Sequence, residues 1–117
     1  MEETHLRKYL HSKLKQKTSL YLTIASNIIP LNKIPIFDLD EDSPSYLLFE
    51  KSRQILKKWM IVPPPTFTLF ILNNQQQIFN NNKSLFEQRV DYKNNIIIFP
   101  DDINIHEWFN KYTNLIL

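Results

Sequence analysis

The stretch Val62–Phe99 reads VPPPTFTLFILNNQQQIFNNNKSLFEQRVDYKNNIIIF, and it decides the fold of the chain. Two runs within it, Phe67–Leu72 and Ile96–Phe99, are rich in the Thr, Phe and Ile that suit β-strands. The polar residues between them are too many for a tight turn or for a structureless loop in a small domain. We therefore predict a long β-hairpin around residues 66–99 whose distal part leaves the core. A lone two-stranded ribbon is marginal in water, so this arm points to a partner. The alternative is a solvated, low-complexity insert.

The clearest helix precedes the hairpin and spans Ser43–Ile61. Ser43 is a favourable N-cap, and Pro44 stands at the first helical position, where a missing N–H costs nothing. The apolar face of this helix recurs at helical spacing. Its members are Leu48, Ser52, Ile55, Leu56 and Trp59. Because Trp59 lies on that face, it is predicted to be a core residue rather than a stacking platform for a base.

A second short helix is predicted after Pro100. Asn104 and Glu107 have the spacing of a capping box. The residues that follow place an apolar face at i, i+3, i+4 and i+7. Its members are Ile105, Trp108, Phe109 and Tyr112. A strand-like tail, Asn114–Leu117, ends the chain.

The beginning of the chain supplies one further strand and a basic extension. Ser19–Ser26 alternates apolar and polar residues, as a strand with one buried face does. Residues 1–18 are predicted to form a basic, helical extension, which would lie on RNA, on a neighbouring protein or on its own domain. The predicted order in residues 19–117 is strand, helix, strand, strand, helix, short strand. Two helices on one face of such a sheet form the ferredoxin-like βαββαβ sandwich, an α+β fold.

Composition limits the chemistry. The chain has neither cysteine nor glycine, so thiolate sites and a glycine-rich phosphate loop are excluded. Every turn would have to use Asn, Asp or Pro in place of glycine. The three histidines are scattered, and the acidic run Asp38–Asp42 resembles a solvated turn more than a cation site. We expect no enzyme activity, no metal or other cofactor, no small-molecule substrate and no contact with a membrane.

Several features of the central and C-terminal parts of the chain occur together in one known family. They are the helix YLLFEKSRQILKKW, a proline turn ending in Pro65 and Thr66, and a polar tip that contains Asn82–Lys83 and Glu87–Gln88. Pro100, Asn104 and Ile105 then stand at the start of the last helix. In these features the chain resembles ribosomal protein S-ten of the small subunit, the Nus-E antitermination protein of bacteria. Phe67 and Thr68 stand where the family has a basic pair. The resemblance covers residues 19–117.

The resemblance implies a structural constituent of the small-subunit head that binds rRNA. It also implies contacts with the neighbouring proteins S-three, S-nine and S-fourteen. Basic side chains would meet phosphates, amides would bond backbone and 2′-hydroxyl groups, and one aromatic ring would stack. The candidate rRNA-binding residues are Lys83, Arg89, Lys93, Asn80, Asn81, Asn82, Gln77 and Phe79, with Lys13, Lys15 and Lys17 in the basic extension.

Abundant Ile, Asn, Lys and Phe, with little Ala or Arg, indicate an AT-rich genome. The acids Glu2 and Glu3 argue against a mitochondrial presequence. We therefore expect an organelle-encoded protein of the mitochondrial matrix, with a plastid as the alternative. Two other functions stay open. One is an accessory subunit of an organellar membrane complex that acts through protein contacts, and the other is a viral or bacterial RNA-binding regulator.

Overall fold

The computed structural model describes residues 20–26, 32–90 and 95–116. It is a mixed α+β structure, which confirms the predicted class. Its strands are β1 Leu20–Ile24, β2 Ile34–Ile36, β3 Phe67–Ile71, β4 Gln77–Ile78 and β5 Asn95–Pro100, and its helices are α1 Ser45–Trp59 and α2 Ile105–Ile116. The predicted basic extension lies outside the described residues.

One five-stranded sheet carries the fold, in the order β2-β1-β5-β3-β4. β5 is central. It pairs parallel with β1, where Leu22 stands opposite Ile96, and antiparallel with β3, where Leu69 stands opposite Ile98. β2 and β4 pair antiparallel at the two edges. The three inner strands therefore join residues far apart in the sequence.

The two helices cover opposite faces of this sheet. Ile96 and Ile98 of β5 belong to the core under α1, whereas Ile97 and Phe99 belong to the core under α2. The α2 core holds a cluster of rings in which Phe99 meets Trp108 edge to face, with centroids 5.2 Å apart. The predicted face of α2 is thus confirmed.

The ferredoxin-like sandwich is not confirmed, because that fold needs both helices on one face. The reason lies in β5, which is buried at every position from Ile96 to Pro100. A strand that is apolar on both faces requires cover on both, as in sheets enclosed by helices on either side. The predicted last strand is also wrong, since α2 continues to Ile116. Its place beside β1 is taken by β2.

The protruding hairpin is not confirmed either. β3 and β5 do pair antiparallel, as predicted. The chain between them, however, reverses after β3 and pairs with it again as β4. Ile78, Leu85 and Val90 are then buried in the core under α1. The polar stretch therefore contributes apolar anchors to its own domain, contrary to the expectation that it leaves the core.

The two tryptophans have different environments. Trp108 is 5% exposed, and its indole N–H donates to the Ser26 carbonyl oxygen at 3.0 Å. Trp59 is 54% exposed, so its prediction as a core residue is wrong. The apolar face of α1 does reach Trp59, but the helix ends there, and Met60 packs against the core instead.

Candidate nucleic-acid interface

The residues that follow β4 form a loop, Phe79–Val90, that lies against the start of α1. We call it the capping loop. The Ser45 N–H donates to the Lys83 carbonyl oxygen at 2.8 Å, and the Tyr46 N–H donates to that of Asn81 at 3.1 Å. The first N–H groups of a helix have no partner within it, so an outside acceptor stabilises them. Here the acceptors are backbone carbonyls from almost forty residues downstream.

The predicted cap of α1 is wrong by one residue. The N-cap is Pro44, whose side chain makes no capping hydrogen bond. Ser43 instead closes the acidic turn before the helix, where its hydroxyl accepts from the Asp40 N–H at 3.0 Å. By contrast, the predicted cap of α2 is confirmed, because the Glu107 N–H donates to Asn104 Oδ1 at 3.0 Å.

The capping loop is held on its other side by the same turn. The Leu85 N–H donates to the Ser43 carbonyl oxygen at 2.9 Å, and the Phe86 N–H donates to that of Glu41 at 3.0 Å. The Leu85 side chain is buried. The loop is thus bound by backbone hydrogen bonds and an apolar anchor, and its conformation follows from the position of α1.

Gln88 organises the interior of the loop. This side chain is only 8% exposed. Its Nε2 lies 2.5 Å from Ser45 Oγ, 2.8 Å from the Phe79 carbonyl oxygen and 3.1 Å from Asn81 Oδ1. Its Oε1 accepts from the Phe79 N–H at 2.7 Å. The two hydrogens on Nε2 therefore have three acceptors within reach. Through these bonds the Gln88 side chain connects both ends of the capping loop to α1.

Five of the predicted RNA-binding residues have exposed side chains. Asn80, Asn82, Lys83 and Arg89 are exposed, and Phe79 is 58% exposed. These five side chains are available to a partner.

Two other predicted RNA-binding residues are half-buried within the domain. Asn81 is half-buried, and its Oδ1 accepts from the Lys83 N–H at 2.9 Å. Gln77 is half-buried within β4, opposite Phe70. Four further candidates, Lys13, Lys15, Lys17 and Lys93, lie outside the described residues.

Lys83 and Arg89 border different grooves. Lys83 lines a groove of about 360 Å³ together with Phe79, and Arg89 lines one of about 530 Å³ together with Phe86. Glu87 borders both grooves, so a carboxylate accompanies each cation. Arg89 itself stands in the left-handed region with φ of 61°, at the end of a turn. Arg89 is therefore not part of a β-strand, and the direction of its side chain cannot be inferred from strand alternation.

The residues that fix this loop were not predicted. Gln88 and Ser45 are 43 positions apart, and neither stands in a pattern that marks a buried polar contact. The available signal was weaker: Leu85 and Val90 interrupt the polar stretch five residues apart. Apolar residues within a polar insert favour attachment to the core, which is where the structure places both.

The acidic run forms a turn with its own partners. Lys51 Nζ lies 2.5 Å from Asp38 Oδ2, and this hydrogen bond holds the pKa of Asp38 below its ordinary value of 3.8. Asp40 Oδ1 accepts from the Asp42 N–H at 2.8 Å. Among the described residues, no cluster of three His, Cys, Asp or Glu could hold a metal ion. Neither helix in the described part of the chain is long and apolar enough to cross a membrane.

Comparison with known proteins leaves the family undetermined. No family model matches the chain, and no curated protein or solved structure shows significant similarity to it.

Proposed function

We propose that this protein is a structural constituent of a small ribosomal subunit and that its capping loop binds rRNA. The proposal depends on one observation, which is that the capping loop exposes polar and aromatic side chains on a fixed backbone. Asn80, Asn82, Lys83 and Phe79 project to solvent from a backbone fixed by Gln88 and by the start of α1. Amides, a cation and an aromatic ring are the groups that meet the 2′-hydroxyls, phosphates and bases of folded RNA.

The sequence resemblance to ribosomal protein S-ten supports the same function. The matching pairs Asn82–Lys83 and Glu87–Gln88 both belong to the capping loop. Part of the strand arrangement also agrees with a ferredoxin-like origin, since β1 is parallel to β5 and β5 is antiparallel to β3. On this proposal, the loop is a short rRNA-binding tip that is braced on the domain. S-three, S-nine and S-fourteen would be its neighbours in the mitochondrial or plastid subunit.

The salt dependence of RNA binding tests this proposal. Replacing Lys83 and Arg89 by Gln in the full chain should lower the slope of log affinity against log salt. Each true phosphate contact contributes about one unit, so the expected loss is one to two units. Lys111→Gln is the matched control, because it removes one charge from the exposed part of α2. The probe is small-subunit rRNA from the source organism.

An unchanged slope in the double variant would overturn the assignment of the loop. Loss of slope in Lys111→Gln as well would show general attraction of RNA to a basic protein. The first outcome would favour the protein-contact alternative.

One observation supports that alternative. Trp59, Ile61 and Val62 form an exposed apolar tip at the end of α1, directly before the proline turn. Exposed apolar patches mark contacts with other proteins. Trp59→Ser with Ile61→Ser should then weaken binding to purified neighbours and leave the salt slope for RNA unchanged. A loss of RNA affinity in this variant would instead place the tip in the RNA contact.

A further inference from the structure

A groove between α1 and the start of β3 has a composition distinct from the rest of the surface. Tyr46, Phe49, Glu50 and Arg53 line it from α1, at the i, i+3, i+4 and i+7 positions that share one face of a helix. Phe67 lies opposite them, and Asn80 of the capping loop also lines the groove. Its volume is about 340 Å³. This is within the range of sites for small ligands.

The floor of this groove is built from stacked groups. The rings of Phe49 and Phe67 stack with centroids 5.8 Å apart and an angle of 24° between their planes. The Arg53 guanidinium lies 5.3 Å from the centroid of Phe67, and it donates to the Pro65 carbonyl oxygen at 3.4 Å. Since each group is held by another, the floor is in place before a ligand arrives. Phe67 itself is buried, and the exposed ring of the groove is Tyr46, which is 40% exposed.

Two polar side chains of the groove, Glu50 and Asn80, have unused bonding capacity, whereas the Thr66 hydroxyl donates to the Asp101 carboxylate. Within the described residues, the Glu50 carboxylate and the Asn80 side-chain amide make no hydrogen bond or ion pair. Tyr46 is partly exposed, and its backbone is fixed by the bond to Asn81. A purely apolar occupant would desolvate the carboxylate without replacing its bonds to water. The Arg53 guanidinium lines the same groove, but it already donates to the Pro65 carbonyl oxygen and lies over the Phe67 ring, whereas the Glu50 carboxylate is left to accept. The groove therefore suits a flat ligand that donates hydrogen bonds.

We propose that this groove binds one unpaired guanine base of single-stranded RNA. The base would stack on Tyr46, and its adjacent N1–H and N2–H groups would donate to the Glu50 carboxylate. Unpaired bases in folded RNA are recognised in this manner, by stacking and by hydrogen bonds to their Watson–Crick edge. The inference rests on the proposed RNA-binding function and adds base selectivity to it.

The test uses the full chain and fluorescently labelled heptamers of uridine that carry a central guanosine, inosine or adenosine. We expect guanosine to bind about tenfold tighter than adenosine, the size typical of a two-bond contact to a base edge. Inosine lacks the N2 amino group and should be intermediate. Glu50→Gln should abolish the preference for guanosine, whereas the matched control Asp102→Asn should keep it.

The stacking contact is tested with a second pair of variants. Tyr46→Ala should weaken binding of the guanosine heptamer roughly tenfold, as loss of an aromatic platform does. Tyr46→Phe should retain the affinity, because it keeps the ring. Circular dichroism of each variant confirms that the helices are intact.

The outcomes separate this inference from the proposed function. Equal affinity of the wild-type chain for guanosine and adenosine, or binding of rRNA but of no heptamer, overturns the guanine site and leaves rRNA binding in place. A preference that survives Glu50→Gln overturns it as well. If the chain binds neither rRNA nor any heptamer, the proposed function fails and the guanine site fails with it.

Discussion

Replacing Gln88 by Leu tests the contact that fixes the capping loop. The change keeps most of the side-chain volume and removes an amide that makes three hydrogen bonds at a time, two through Nε2 and one through Oε1. At about 1 kcal/mol of net stabilisation for each bond, the expected loss is about 3 kcal/mol. The loss is expected because the Phe79 N–H and carbonyl groups, which are part-buried, lose the side chain to which both are bonded.

The loss of stability in Gln88→Leu is measured as the change in the free energy of unfolding, by urea denaturation followed with far-ultraviolet circular dichroism. Amide hydrogen exchange shows where the structure is loosened. We expect faster exchange at Ser45 and Tyr46, whose N–H groups donate to the loop. Gln54→Leu is the matched control, because Gln54 is exposed on α1. Its effect should stay within about 0.5 kcal/mol. A loss below 1 kcal/mol in Gln88→Leu, or unchanged protection at Ser45 and Tyr46, would refute the bracing role of Gln88.

Three further predictions concern the stability of the domain, each measured as the free energy of unfolding. Trp108→Ala should lower the free energy of unfolding by about 3–5 kcal/mol, as for a buried large aromatic, whereas Trp59→Ala should lower it by less than about 1 kcal/mol. Equal losses in the two variants would contradict the burial of Trp108 and the exposure of Trp59. Gln75 has φ of 57°, so Gln75→Gly should raise it by roughly 0.5–1 kcal/mol, and a decrease would contradict the left-handed conformation. Since Lys51 lowers the pKa of Asp38, Asp38→Asn should lose a stabilisation that is present above pH 3.8 and disappears as pH falls through the folded-state pKa. The loss should be below about 1 kcal/mol for so exposed a pair, and a difference that grows in acid would contradict the assignment.

Sequence patterns predicted the helices and the inner strands, because these depend on local periodicity. The face of α2 and its Asn104 cap involve residues within a few positions of one another. The predicted strands likewise overlap β1, β3 and β5. The apolar run at Ile96–Phe99 also held a signal of burial on both faces. The ferredoxin-like prediction placed both helices on one face of the sheet and did not use that signal.

The arrangement of the capping loop could not be predicted in this way. Its bonds join Gln88 to Ser45 and Lys83 to the start of α1, over about forty residues, and such pairings leave no local repeat. The expectation that Asn, Asp or Pro would take the place of glycine in every turn was also wrong. Without glycine, the two described residues with positive φ are Gln75 and Arg89 rather than Asn or Asp. Turn hydrogen bonds fix the backbone at both positions, because the Gln75 N–H donates to the Ile71 carbonyl oxygen and the Arg89 N–H donates to that of Phe86.

Sedimentation of the native particle tests most directly the proposal that the protein belongs to a small ribosomal subunit. A lysate of the source organism is separated on a sucrose gradient in magnesium buffer, and the protein is followed beside small-subunit rRNA. We predict that it sediments with that rRNA and shifts to the top of the gradient when magnesium is chelated and the subunits unfold. Sedimentation with a protein complex that contains no rRNA, unchanged by ribonuclease, would contradict the claim.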